Sequence, residues 1–230
     1  MGKSINKFLN IKGTVLDNEQ LSSYMEKIGT NHELRINSSM STYPIPRLKD
    51  NLRFIGKTYN LLNEHIKINI DIVPAGEWLL DNFYVIEETI KTVIKELTPV
   101  KYKNFPGISS GMYNGYARIY VLAAEIVAYT DGRINDDILK LAISSYQRRK
   151  TLSMEEIWNL WIFLSLAAIE NIRDVCEKIY SSQIQKCKVE SIIERLLEKK
   201  DTNDCKYNNL GLTWHTNRVS RHTTNTWHIL

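Results

Sequence analysis

Residues 74–97 read PAGEWLLDNFYVIEETIKTVIKEL, and this stretch decides the fold. Its apolar residues recur at steps of three or four: Leu79, Phe83, Ile86, Ile90, Ile94 and Leu97. A narrower polar line follows similar steps: Glu77, Asp81, Tyr84 and Glu88. Pro74 fits the first helical position, where its missing N–H costs nothing. The spacing therefore predicts an amphipathic α-helix that lies at the centre of the molecule.

The composition of the 230-residue chain is that of an ordinary soluble globular protein, with 43% hydrophobic and 24% charged residues. The net charge of +4 is small, and lysines alternate with glutamates along the predicted helices. A solvated charged surface is therefore favoured over a nucleic-acid-binding face, which concentrates its basic residues on one side. No nucleic-acid partner is predicted.

Three widely spaced cysteines, Cys176, Cys187 and Cys205, form no C-x-x-C pair, which argues against a zinc or thiol-exchange site. A sparse, odd set is typical of a reducing compartment, and the N-terminus lacks the apolar core of a signal peptide. The longest near-continuous apolar run, 160–169, is too short to span a bilayer. These features predict a cytoplasmic chain without a membrane span, which partners can hold at the inner face of the membrane.

Helical periodicity extends along most of the chain. It predicts helices over 17–28, 46–68, 74–97, 116–129, 135–150 and 154–181, and a last amphipathic helix around 189–197. No stretch alternates between apolar and polar residues, so no sheet is predicted. The expected fold is all-α, a bundle-like domain of six or seven helices. The residues expected in its core are Leu79, Phe83, Leu122, Trp158 and Trp161.

Local signals mark several helix ends. Asn135 is a good N-cap. Just before it, Gly132 of Asp131-Gly132 can adopt the left-handed backbone conformation that ends the preceding helix. The sequence TLSMEEI at 151–157 is a capping box, in which Ser153 caps the helix and Glu156 reaches back. These signals predict where the helix over 135–150 begins and where the helix after it begins.

Three irregular stretches interrupt the pattern. Residues 98–115 contain three glycines and two prolines, which predicts a long loop of the kind that often carries function. The isoleucine-rich run 66–73 can be a strand, but a helix end followed by a linker is favoured. Gly56 lies inside the second helix at a cost of about 1 kcal/mol relative to alanine, which suggests the close approach of another helix.

Composition divides the chain into a polar N-terminal segment over 1–41, a helical domain over 42–200, and a tail over 201–230 that is predicted to be disordered. The tail holds most of the histidines and two tryptophans: His215, His222, His228, Trp214 and Trp227. Histidines are zinc ligands, but these spacings match no standard site and no cysteine or acidic cluster completes a shell. No metal site is predicted.

No catalytic motif is present. The chain lacks a G-x-S-x-G elbow, a glycine-rich phosphate loop and an H-E-x-x-H pair. Adjacent acids such as Glu87 and Glu88 point about a hundred degrees apart on a helix, so they cannot face each other as a glycosidase pair does. Neither catalytic residues nor a cofactor are predicted.

Four stretches resemble a known family. They read PRLKDN at 46–51, AGEWLLDNFYVIEE at 75–88, GYARIYVLAAEIVAYTDGR at 115–133 and LSMEEIWNLW at 152–161, which runs on to IENIR at 169–173. In this order they are similar to the N-terminal helical region of the cyclic β-1,2-glucan synthases, over about residues 32–180. The WLLDNF-x-x-IEE and TDGR runs are the more specific, whereas Ala117 stands where the family pattern has proline.

Members of that family are very large membrane-associated proteins. The resemblance implies that a processive glycosyltransferase domain, which uses UDP-glucose, and a phosphorylase-like domain lie downstream of this region. The chain stops before either domain and departs from the pattern after about residue 180. An isolated N-terminal piece, such as an interrupted gene would encode, is therefore expected, and the family's catalytic residues have no matching positions here.

The function expected from this resemblance is a non-catalytic scaffolding or docking region, with the other domains of a glucan synthase as partners. Two alternatives stay open: a β-glucan-binding module, whose partner is β-glucan, and a stand-alone enzyme of unknown reaction. Docking predicts an exposed apolar patch, and glucan binding predicts a cleft with flat aromatics beside carboxylates and amides. No glucosyl transfer is expected from this chain alone.

Two stretches offer the aromatic faces and planar polar groups that a glucan site requires. The candidate residues are Trp78, Asp81 and Asn82 near the start of the 74–97 helix, and Tyr113, Tyr116 and Arg118 around the glycine-rich loop. The competing interpretation places Trp78 and Tyr116 in the core and pairs Asp81 with Arg118 in a salt bridge. The exposure of Trp78 distinguishes the two interpretations.

Overall fold

The computed structural model describes residue 9 and residues 11–208, except for the side chains of residues 190, 194 and 197–208. Within that range the chain forms eight α-helices: α1 Asn18–Asn31, α2 Ile45–Lys67, α3 Pro74–Glu96, α4 Pro99–Asn104, α5 Arg118–Tyr129, α6 Asp136–Gln147, α7 Met154–Trp158 and α8 Leu160–Asn208. The all-α prediction is confirmed, with more helices than the six or seven expected.

The extra helices have local causes. α4 lies in the stretch predicted as loop, because Pro99 fits its first turn and the Thr98 hydroxyl accepts a hydrogen bond from the Lys101 amide. The predicted 154–181 helix divides at Asn159, whose side-chain amide donates to the Glu155 carbonyl at 2.7 Å. Beyond that break, α8 continues through the region predicted as a separate last helix.

A 3₁₀ turn at Met40–Thr42 and two short strands complete the described structure. Strand β1, Leu34–Arg35, pairs antiparallel with β2, Gly107–Ile108. Two residues per strand are too few for alternation to be visible in the sequence, so this pair was missed by the prediction that there is no sheet. The pair ties the segment after α1 to the glycine-rich loop.

Among the described helices α5 has the longest unbroken run of buried residues, whereas α3 was the helix predicted at the centre of the molecule. Every residue from Arg118 to Val127 is buried. Tyr120 packs against Phe163 of α8, and the Tyr24 hydroxyl of α1 donates to Glu125 at 2.9 Å. α3 buries one face only, because its acidic line stays in solvent. A helix that is apolar on all sides belongs inside the molecule, whereas an amphipathic one lies at its surface.

α3 packs against α2 through its apolar face, as its spacing predicted. Leu79 is buried, and the half-buried ring of Phe83 stacks on Tyr59 of α2 with 4.3 Å between ring centroids. Gly76 lies close to Leu62, where an added Cβ would be 3.2 Å from a leucine methyl. The contact explains why a residue without a side chain is suited to this turn of α3.

The two tryptophans predicted in the core are exposed, which corrects that prediction. Trp158 is 70% exposed and Trp161 is 44% exposed. The cause is the capping box of α7, which turns Glu156 inward toward a buried arginine and leaves Trp158 outward. In the following turn Leu160, Ile162 and Phe163 fill the core instead. The predicted burial of Leu79 and Leu122 is confirmed.

The chain divides into two compact units, residues 1–183 and residues 184–230. The described part of the second unit is the remainder of α8, with several exposed apolar side chains: Val189, Ile192, Ile193 and Leu196. The predicted tail begins inside this helix, which ends at Asn208. The tail residues His215, His222, His228, Trp214 and Trp227 lie outside the described residues.

Candidate functional site

A buried ion pair joins α5 to α7. The Arg118 Nε donates to Glu156 Oε1 at 2.9 Å, a second guanidinium nitrogen donates to Glu156 Oε2, and Nη1 donates to the Thr151 carbonyl at 3.1 Å. Both side chains are almost fully buried. The predicted alternative of an Asp81–Arg118 salt bridge is therefore wrong. A bidentate, fully satisfied pair of this kind fixes how two helices meet.

The buried His32 extends this network. Its Nδ1 lies 3.0 Å from the Tyr146 hydroxyl. Burial, with the charges of Arg118 and Lys150, lowers the pKa of His32 to about 4. The imidazole is therefore neutral at pH 7, and it acts as a hydrogen-bonding core residue. Sequence inspection gave no signal for it, because a single histidine at a helix end has no periodic partner.

The glycine-rich loop contributes two of the predicted site residues, and both are held by the fold. Tyr116 is buried in the core. Tyr113 is half-buried and hydrogen-bonds to Glu125, which Tyr24 also contacts. Burial raises the pKa of Glu125, and the two tyrosine hydroxyls lower it in part. The loop is thus tied to α5 by a tyrosine–carboxylate cluster.

The three predicted residues on α3 point in different directions. Trp78 is 52% exposed and lines an apolar cavity. Asp81 lies in a separate acidic groove with Asp71 and Glu77. The side-chain amide of Asn82 donates to the Trp78 carbonyl at 2.8 Å, within the helix itself. The structure therefore does not gather the six candidates into one cleft, and Trp78 is the one that lines this cavity.

The cavity, here called the α3–α8 cavity, has a volume of about 370 Å³. Its floor consists of buried apolar side chains: Leu79, Val127, Cys176 and Ile179. Its mouth consists of exposed residues from α3, the α5–α6 turn and α8: Ala75, Trp78, Asp131, Gly132, Ala168, Asn171 and Val175. Apolar walls with a few polar groups at the rim are typical of sites that bind small organic ligands.

Two polar residues of this cavity were missed by sequence reasoning. Asp131 was interpreted only as part of a helix stop, and Asn171 falls among apolar positions of α8. A signal existed for Asn171, because it lies three residues after Ala168 and four before Val175, on one face of the helix. No local pattern could place Asp131 opposite α3.

A second exposed apolar region, here called the Trp158 surface, covers α7 and the start of α8. It consists of large side chains that are all more than a third exposed: Met154, Ile157, Trp158 and Trp161. The four residues lie within eight positions of the chain, and large exposed apolar patches mark interaction sites.

A buried carboxyl lies between α2 and α8. Glu170 Oε1 is 3.5 Å from the Arg47 Nε, and the fully buried Asn51 lies beside it. Burial raises the pKa of Glu170 to about 7, although Asn51, Arg47 and Arg173 favour its charged form. Glu170 does not line the α3–α8 cavity. Its raised pKa therefore affects the stability of the fold.

Within the described residues, no cluster of three or more histidine, cysteine, aspartate or glutamate side chains is arranged to hold a metal ion. None of the helices in this part of the chain is long and apolar enough to cross a membrane. The described features are thus those of a helical domain with an apolar surface and an apolar cavity.

Comparison with known proteins confirms the resemblance. No family model matches the chain. It is 28% identical over 161 residues to the cyclic β-(1,2)-glucan synthase NdvB of Rhizobium meliloti (strain 1021). The match covers 70% of this chain and 6% of that relative, so the chain spans a small part of the relative's length.

Proposed function

We propose that this chain is a docking region that packs on other domains of a cyclic β-1,2-glucan synthase and performs no chemistry itself. The observation that carries the proposal is the Trp158 surface. Full burial of a large apolar side chain contributes roughly 1.5–3 kcal/mol. A partner that covers these four partly exposed side chains would gain part of that free energy from each of them. Tryptophan is also the residue type most enriched among the energetic centres of protein interfaces.

The similarity to a glucan synthase supports the choice of partner. The matched relative is named a cyclic β-(1,2)-glucan synthase, and 6% of its length corresponds to this chain. The rest of such a protein offers ample surface against which the Trp158 surface could pack. The proposed role is therefore to scaffold glucan synthesis, in which the catalytic steps belong to those other domains.

Co-purification tests this role. The chain is mixed with Rhizobium meliloti NdvB from which the matching segment has been removed. We expect the native chain to be retained, and the double variant Trp158→Ser, Trp161→Ser to be lost, because it removes both tryptophans of the surface. All exchanged side chains are exposed, so thermal melting should show an intact fold.

The matched control exchanges two equally exposed apolar residues elsewhere. Val100 on α4 and Met112 in the glycine-rich loop are each 73% exposed. The double variant Val100→Ser, Met112→Ser should be retained like the native chain. Equal retention of both double variants, or failure of the native chain to bind, would refute the docking role.

A second candidate function, β-glucan binding, is supported by a separate observation. Trp78 is exposed at the mouth of the α3–α8 cavity, where a carboxylate and an amide lie on the same rim. An accessible aromatic face beside planar polar groups is the combination that the glucan hypothesis required.

A further inference from the structure

We propose that the α3–α8 cavity binds one glucosyl ring of a β-glucan, stacked on Trp78 with its hydroxyl edge directed at Asp131 and Asn171. The inference rests on the second candidate function above and gives it a location. Asp131 and Asn171 replace Asp81, Asn82, Tyr113, Tyr116 and Arg118 as the partners of Trp78.

We choose the ligand because the floor of the cavity is apolar and its mouth carries polar residues. The floor consists of buried apolar side chains, and Asp131 and Asn171 lie at the exposed rim. A β-linked glucose ring has the matching division, since its two faces present C–H groups and its edge carries hydroxyls. A ligand that is polar on all sides would lose hydrogen bonds to water against this floor without replacement.

Trp78 is held in position to act as a platform. It lies in the second turn of α3, where the Asn82 side chain donates to its carbonyl at 2.8 Å. Leu79, the next residue, is buried and anchors this turn in the core. An indole that is half exposed on a rigid helix offers a flat apolar face at low entropic cost, because little freedom is lost when the ligand binds.

The polar rim is also preorganised. Asp131 adopts a left-handed backbone conformation with φ of 53°, and the Gly132 amide donates to the Val127 carbonyl at 3.0 Å. The turn therefore holds Asp131 at the cavity, which residues of α3 and α8 also line. Asn171 adds an amide from α8, so acceptors and donors come from two separate elements.

The size of the cavity limits the ligand. A volume of about 370 Å³ lies near the lower end of the range for small-molecule sites. It accommodates one sugar ring with part of a second, which suits a single unit of a longer chain. We therefore expect modest affinity for a short saccharide.

The test is a titration of the native chain with the β-1,2-linked glucose disaccharide, followed by NMR of the tryptophan indole N–H groups. The Trp78 signal, assigned by its loss in Trp78→Ala, should shift, and the Trp158 signal should not. Trp78→Ala and Asp131→Asn should each weaken binding by about tenfold or more, as expected when one good contact is lost. Trp158→Ala is the control and should bind normally, because Trp158 is an even more exposed tryptophan that does not line the cavity.

Four results would overturn the proposal. In the titration they are no shift of the Trp78 signal, undiminished binding by Trp78→Ala, or an equal loss in Trp158→Ala. The fourth is that Trp78→Ala abolishes retention by the NdvB polypeptide while the disaccharide leaves the indole signals unchanged, because the cavity would then be a protein contact. The saccharide titration contains no partner protein, so a negative titration would not count against the docking role. A negative co-purification would likewise not count against saccharide binding.

Discussion

At the scale of single residues, the position of Glu170 has the clearest energetic consequence. Its carboxyl is almost fully buried between α2 and α8, and burial raises its pKa to about 7 despite the nearby Arg47 and Arg173. In the unfolded chain the same group has a pKa near 4.5. The folded state therefore binds more protons than the unfolded state between these two values, so stability from this group falls as pH rises.

We predict that Glu170→Gln stabilises the protein at and above pH 7 by up to about 3 kcal/mol, because glutamine resembles the protonated carboxyl. At pH 4.5 and below, the variant and the native protein should have nearly equal stability. Urea unfolding at several pH values measures the difference. A difference that does not change with pH would contradict the prediction.

The comparison with the native chain is needed at each pH because His32 acts in the opposite direction. The folded-state pKa of His32 is about 4, below its ordinary value of 6.5. The contribution of His32 to the free energy of unfolding is therefore lost as pH falls through that range. Glu64→Gln is the matched control. Glu64 is exposed on α2 and pairs with the exposed Lys67, so its exchange should change the free energy of unfolding by no more than about 0.5 kcal/mol.

At the scale of elements, two helical glycines differ in the space around them. An added Cβ at Gly56 of α2 would lie 3.9 Å from Phe83, which is an ordinary contact. At Gly29 of α1 it would lie 3.0 Å from the Tyr146 carbonyl oxygen and 3.2 Å from the Arg149 Cβ of the facing segment. The close helix approach suggested for Gly56 is therefore found at Gly29 instead.

We predict opposite effects of alanine at these two positions. Gly56→Ala should raise the free energy of unfolding by about 0.5–1 kcal/mol, because alanine restricts the unfolded chain and fits the helix. Gly29→Ala should lower it by about 1–3 kcal/mol, because a backbone oxygen cannot move aside. Each variant is the other's control in chemical denaturation. A loss of stability in Gly56→Ala would show that α2 and α3 lie closer than the distance indicates.

At the scale of the whole molecule, the docking role predicts the absence of catalysis. We expect no glucan product above background when the chain is incubated with UDP-glucose and magnesium, because the proposed docking role assigns the catalytic steps to the partner's domains. Chromatography of labelled glucans measures the product, with full-length NdvB as the positive control. Detection of a glucan made by this chain alone would refute the proposed division of labour and favour the stand-alone enzyme.

Most of the helices, several of their caps and the apolar face of α3 were determined by the sequence itself, whereas α4 and the break at Asn159 were not. Asn135 caps α6, and Ser153 with Glu156 forms the predicted box of α7. These features depend on contacts within four residues, so spacing along the chain is enough to predict them. The resemblance to glucan synthases was also carried by sequence alone.

Only the tertiary structure decided which apolar side chains face water and which polar groups meet. Trp158 was predicted in the core, but it faces water because Glu156 turns inward to Arg118, which lies 38 residues earlier in the chain. Trp78 and Asp131 meet at one cavity although 53 residues separate them in the chain. Burial and cavities depend on the surface that another element presents, and the periodicity of one helix carries no information about that surface.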